Sequence, residues 1–199
     1  NLDPNIRYET PLYYMNFPKV QRRITYATSF GSWVENFPLR EKELLPWIEQ
    51  FDALSMRDES GVRMLQSRGM ACEWVLDPTL LLEQTDYDKI AEKRIIDEPY
   101  VLLFSWNGAE EAVEITKKVS DKLGCKAFYI VPPPRAMFCG IQRKLDVGPR
   151  EFLSLVKYAE FIVTNSFHGT VFSTIYKKPF ISAIKGEVDP RRASLMKQL

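Results

Sequence analysis

Hydrophobic positions in this chain fall into short runs, and amphipathic stretches of helical length separate them. Residues 24–30, Ile24-Thr25-Tyr26-Ala27-Thr28-Ser29-Phe30, are β-branched and aromatic and stop at Gly31. That pattern predicts a strand running into a loop. Leu44, Leu45 and Ile48 recur at helical spacing within 41–50. Residues 53–57 read as a short strand, Asp58 as the cap of a helix reaching residue 68, and Gly69 as its stop. Residues 73–76 form another predicted strand, ended by Asp77-Pro78. Residues 1–22 carry no clear period.

Residues 79–98 read as a connection with a helix near 87–94, and a second series follows it. Strands are predicted at 100–106, 126–131, 161–164 and 179–184. Helices are predicted at 109–123, 150–159 and 168–177, with a last one beginning at 190. Val113, Ile115, Val119 and Leu123 make the apolar stripe of the helix that Gly124 ends. Pro132-Pro133-Pro134 closes one strand, and 135–148 reads as a loop. Alternation of strand and helix predicts βαβ units and parallel sheets. The second series reads as a nearly complete doubly wound α/β domain, and the first as the tail end of another. The expected division is 1–82, a linker at 83–98, and 99–199.

Composition narrows the classes. The chain has 199 residues, 45% apolar and 27% charged, with a net charge of +1. No global field steers it to nucleic acid or to an anionic membrane. Cys72, Cys125 and Cys139 are odd in number and far apart, so they make neither a disulfide framework nor a paired metal motif. They read as small hydrophobes in a reducing compartment. No signal peptide and no apolar run of membrane-spanning length is present, so a cytoplasmic location is expected. Asn1-Leu2-Asp3-Pro4 does not look like a natural start, and a fragment of a longer chain is expected.

The chemistry concentrates in one segment. In open α/β sheets, ligands sit beyond the carboxyl ends of strands, where helices begin. Phe161-Ile162-Val163-Thr164-Asn165-Ser166-Phe167-His168-Gly169-Thr170 takes an apolar strand through a polar turn straight into a helix. Backbone N–H groups at a helix start favour anions. Ser166, Thr170 and Ser173 add hydroxyls, and Gly169 permits close approach of a ligand. His168 is the only histidine, and imidazole suits proton transfer near neutral pH. A structural histidine and ordinary capping hydroxyls give a competing reading of the same residues.

Residues 164–173, Thr164-Asn165-Ser166-Phe167-His168-Gly169-Thr170-Val171-Phe172-Ser173, resemble the signature block of the polysaccharide pyruvyl transferase family. Residues 24–31, 51–61 and 75–82, Pro179-Phe180 and Arg192-Ala193-Ser194-Leu195 resemble the same family in the same order. The resemblance implies Rossmann-like doubly wound parallel sheets in a GT-B-type two-domain architecture, here with the N-terminal domain truncated. It implies catalysis by His168. It implies phosphoenolpyruvate contacts from Ser166 and Phe167, with Asn165, Gly169 and Thr170 in the same turn and Arg57 from the other domain. Some members carry an arginine where this chain has Ser166, and a serine cannot pair bidentately with an anion. The helix N-terminus, or Arg57, Arg135, Lys185, Arg191 or Arg192, is expected to substitute.

The implied reaction moves the pyruvyl group of phosphoenolpyruvate onto a sugar, free or lipid-linked, as a ketal in exopolysaccharide or cell-surface assembly. His168 would be the acid, and no cofactor or metal is implied. Asp58, Glu59 and Asp77 stand at strand ends and could activate sugar hydroxyls, although helix capping and chain turning are the plainer roles. Trp33 and Trp106 could stack on sugar, although packing is the commoner use of tryptophan. Two alternatives remain on the sequence: a GT-B glycosyltransferase using a nucleotide sugar, and an anion-binding module without catalysis.

Overall fold

The structure is a computed structural model that describes residues 14–17, 21–31, 37–105, 110–130, 141–144, 146–182 and 190–198. The chain divides into two compact units. One comprises residues 1–78 with 188–199, and the other residues 79–187.

In the first unit, β1 (Ser55–Met56) pairs in parallel with β2 (Glu73–Trp74). Residues 24–28 run beside residues 53–56, with isolated parallel bridges at Ile24–Ala53 and Thr28–Met56 in place of a continuous ladder. The continuous strand expected over 24–30 does not form. Ala27 adopts a left-handed backbone (φ 53°) that breaks the ladder. Hydroxyls replace the missing rungs. Ser55 Oγ donates to the Thr25 carbonyl at 2.9 Å and accepts from Ala27 N at 3.2 Å, and Thr25 Oγ1 accepts from Ser55 N at 2.8 Å.

Helices α1 (Glu41–Ile48) and α2 (Glu59–Gln66) cover this ladder through Leu44, Ile48, Val62 and Leu65, which meet Phe30, Phe37, Met56 and Cys72. Gly69, at φ 79°, takes the left-handed position after α2 that its sequence place predicts.

Among the described residues, the second unit is a five-stranded, fully parallel sheet of β3 (Tyr100–Phe104), β4 (Lys126–Tyr129), β5 (Gln142–Arg143), β6 (Phe161–Thr164) and β7 (Phe180–Ser182). Its spatial order is β5-β4-β3-β6-β7. The chain starts in the middle, winds outward one way, then returns to wind the other way. The reversal lies between β3 and β6, where Phe104 pairs with Thr164.

Side chains alternate across β3 as a strand period requires. Val101 and Leu103 pack under α4 (Glu110–Leu123), with Ala112, Tyr129 and Val163. Tyr100 and Leu102 face the opposite layer, built from Tyr87 of α3 (Gln84–Asp88), Leu153, Leu155 and Val156 of α5 (Pro149–Tyr158) and Phe172 of α6 (Phe167–Ile175). Helices on both faces make the sheet doubly wound. Leu123, assigned from sequence to the apolar stripe of α4, is half exposed, and Thr116 is buried instead. A threonine can go there because its hydroxyl is satisfied within the helix, donating to the Ala112 carbonyl at 2.6 Å.

Two expectations about organisation change. Residues 83–98 read as a linker, yet Tyr87 and Ile96 lie in the core of the second unit. The last helix, α7 (Pro190–Gln198), read from sequence as part of the second domain, belongs to the first unit. Ser194 Oγ accepts the N–H of Glu59 at 2.9 Å, Lys197 pairs with Glu59, and Leu195 is buried. Among the described residues no helix is long and apolar enough to cross a membrane.

Candidate functional site

The turn between β6 and α6 stands at the point where the winding of the sheet reverses, beside the carboxyl end of β3. Open α/β sheets form their ligand crevice at such a point. The local sequence builds it from hydroxyls. Thr164 is fully buried. Its Oγ1 donates to the Phe104 carbonyl at 2.6 Å and accepts from Ser166 N at 3.0 Å. Ser166 is the N-cap, extended at φ −86° and ψ 139°, with Oγ accepting from Gly169 N at 3.4 Å. The Ser166 carbonyl takes Thr170 N at 3.1 Å and Thr170 Oγ1 at 3.2 Å. Ser173 Oγ in turn donates to the Gly169 carbonyl at 2.7 Å.

These bonds sort the residues singled out from sequence. His168 is exposed, with its ring edge-on to buried Phe167 at 5.3 Å between centroids and 88° between planes. Asn165 is half-buried. Ser166, Phe167, Gly169 and Thr170 are buried, and the Ser166 and Thr170 hydroxyls bond to the backbone of the helix itself.

Gly169 does permit a close approach, but the neighbour is protein. A Cβ there would overlap Thr164 Oγ1 and stand 2.9 Å from the Phe104 ring. The glycine lets α6 sit down on the end of β6, which corrects the reading of that gap as room for a ligand. The side chains this turn offers outward are His168 and, in part, Asn165, carried on the positive end of a helix dipole.

Arg57 lies in the first unit and follows β1. It is held at three points. Its N–H donates to the Thr28 carbonyl at 3.1 Å, its carbonyl accepts from Trp74 Nε1 at 3.2 Å, and its guanidinium meets Asp77 Oδ2 at 2.9 Å. Asp77 is buried and the Arg57 side chain partly exposed. The sequence places Arg57 and Asp77 each after a strand but does not show that they pair. Both follow neighbouring parallel strands, and that was the available signal.

Neighbouring acids are also structural. Asp58 caps α2, accepting from Gly61 N at 3.1 Å, and is fully buried. Its other oxygen has no hydrogen-bond partner, although the Ser29 hydroxyl is close enough to favour ionisation. Burial dominates and pushes its pKa up, against Ser29, the Gly61 N–H, Arg57 and Arg191. Glu59 pairs with Lys197 and Arg63, and the Lys197 ammonium is the main influence drawing its pKa down. Arg192 is largely buried. Trp33, Trp106, Arg135, Lys185 and Cys139 lie outside the described residues. Among the described residues no three His, Cys, Asp or Glu side chains converge as a metal site would need.

A sequence model of the polysaccharide pyruvyl transferases matches residues 1–184. The chain belongs to the polysaccharide pyruvyl transferase family. This is a family of transferases. Comparison with curated proteins gives no match.

Among solved structures, a Listeria monocytogenes protein described as a UDP-N-acetylglucosamine 2-epimerase superposes with a TM-score of 0.56 at 10% identity, over 88% of this chain and 53% of that one. Staphylococcus aureus MnaA with UDP gives 0.55 at 12%, over 88% and 54%. The Methanocaldococcus jannaschii UDP-GlcNAc 2-epimerase with UDP-GlcNAc and UDP gives 0.49 at 17%, over 77% and 50%. The first two show the fold, a GT-B-like Rossmann architecture with parallel sheets. The chain spans about half the length of these structures.

Proposed function

We propose that this member of the pyruvyl transferase family moves the pyruvyl group of phosphoenolpyruvate onto two hydroxyls of a saccharide acceptor, forming a ketal and releasing phosphate. The reaction would serve cell-surface or exopolysaccharide assembly from the cytoplasmic side, with the acceptor free or lipid-linked. One observation carries the reading beyond family membership. His168 stands exposed on the first turn of α6, at the reversal point of the sheet where ligands of such folds gather.

The chemistry asks for what this turn can give. His168, protonated, delivers a proton to the methylene carbon of phosphoenolpyruvate, which becomes the methyl group. A sugar oxygen attacks the adjacent carbon and loses its proton, a second hydroxyl displaces phosphate, and the ketal closes. A general acid of near-neutral pKa contributes about 10²–10⁴-fold in such a step. The amino end of α6 favours the anionic donor electrostatically. Arg57, held in place by Thr28, Trp74 and Asp77, is the proposed cation of the first unit. No cofactor enters the scheme.

Titration of phosphoenolpyruvate by calorimetry, beside inorganic phosphate and a UDP-hexose, tests the reading. Phosphoenolpyruvate should bind more tightly than phosphate, and Arg57→Ala should weaken it. His168→Ala should keep the fold and donor binding but lose at least about 100-fold in turnover. Binding of the UDP-hexose alone would overturn the reading in favour of a nucleotide-sugar glycosyltransferase.

A further inference from the structure

Thr164 makes more contacts to the candidate site than any role as a strand terminus needs. Its buried hydroxyl reaches three parts of the site at once. It donates to the last carbonyl of β3, at Phe104. It accepts the N–H of Ser166, the residue that caps α6. It also fills the space left by the absent side chain of Gly169, so it fixes how far α6 can descend onto the sheet. His168 lies between Ser166 and Gly169, both of which this hydroxyl touches.

We propose that Thr164 is a positioning residue: its hydroxyl sets the height and pitch of the first turn of α6 and thereby places the imidazole of His168. This deepens the pyruvyl-transfer reading and rests on it for its catalytic consequence, but not for its structural one.

Replacing the hydroxyl by a methyl of similar size leaves the buried Ser166 N–H without this partner and takes one donor from the part-buried Phe104 carbonyl. Unmet buried groups drive a shift towards water or other partners. Ser166 holds the cap, so the shift passes directly to the residue two positions along. A displacement of about 1 Å at a catalytic group costs about 100-fold in rate, whereas donor binding, spread over several contacts, changes less.

Thr164→Val and Thr164→Ser decide the matter in two readouts. The first needs no substrate. The imidazole signals of His168 are followed by NMR, identified by their loss in His168→Gln. The valine variant should move them, and the serine variant, which keeps the hydroxyl, should leave them in place. Wild-type signals in a folded valine variant would overturn the proposal. Should the valine variant fail to fold, the serine variant decides alone: retained signals support the proposal, and displaced signals in a folded protein overturn it.

The second readout is steady-state turnover with phosphoenolpyruvate. The valine variant should lose about 10–100-fold in kcat with KM for the donor changed far less, and serine should restore it. An equal loss in both parameters, or no rescue, would reject a positioning role. If wild-type protein does not use phosphoenolpyruvate, the reaction assignment fails while the NMR result still stands or falls by itself.

Discussion

Gly169 shows how one absent side chain can set a site. In a helix, alanine is ordinarily better than glycine by about 1 kcal/mol. Here an added methyl would run into Thr164 Oγ1, which cannot swing away because it is held by both the Phe104 carbonyl and the Ser166 N–H. Overpacking of a fixed neighbour costs about 1–3 kcal/mol and outweighs the propensity gain. Gly169→Ala should therefore lower the urea midpoint of the second unit, and an unchanged or raised midpoint would show that α6 is free to slide.

The same scale explains what sequence could and could not reveal about the site. His168 stood out because it is unique in the chain. That Thr170 turns its hydroxyl inward was legible in principle from its spacing of four from Ser166, at which threonine bonds back to a helical carbonyl, and that Ser166 does so from its place as the cap. The pairing of Arg57 with Asp77 was harder to read, because it depends on two strands lying side by side.

At the scale of elements, α2 couples a cap to a titration. Asp58 gives α2 its N-cap, yet its carboxylate is buried with one oxygen unpartnered. Burial raises its pKa in the folded chain above the unfolded value. The folded state therefore holds the proton more tightly, and stability falls as pH rises from the ordinary aspartate range through the raised value. Asparagine caps about as well and cannot ionise. Stability of Asp58→Asn relative to the wild type should thus improve from acid to neutral pH in paired urea titrations. A difference that stays constant with pH would mean that Asp58 titrates normally.

Elements were legible where the signal is local. An apolar run bounded by a capping serine gave β6 and α6 closely, and Gly69 and Gly124 marked their helix ends at φ 79° and 62°. Residues 24–28 misled because the left-handed turn at Ala27 is stabilised by Ser55, far away in sequence. Strand β5 carries no strand signal in the sequence because Gln142 and Arg143 are both polar. Only their pairing with Phe128 and Tyr129 makes them a strand.

At the scale of the molecule, the chain leaves its first unit at Pro78 and rejoins it at Val188. The first unit is thus assembled from two separated stretches. Leu195, 1% exposed, is the apolar anchor of the returning helix. Leu195→Ala should cost about 2–5 kcal/mol, the usual range for emptying such a seat. Hydrogen exchange followed by mass spectrometry should then show faster exchange in α1, α2 and β1, with β3 and β6 unchanged. Equal acceleration in both units would mean that they unfold as one.

The returning helix also orders events during synthesis. A ribosome delivers residues 79–187 in one uninterrupted stretch, so the five described strands of the second unit are made before α7 exists. The first unit, though begun earlier, must wait with the flank of α2 uncovered until Leu195 and Ser194 emerge. Domains generally close as they are made, the earlier before the later. Between these two units that order is inverted, because the one begun earlier needs a helix made after the other.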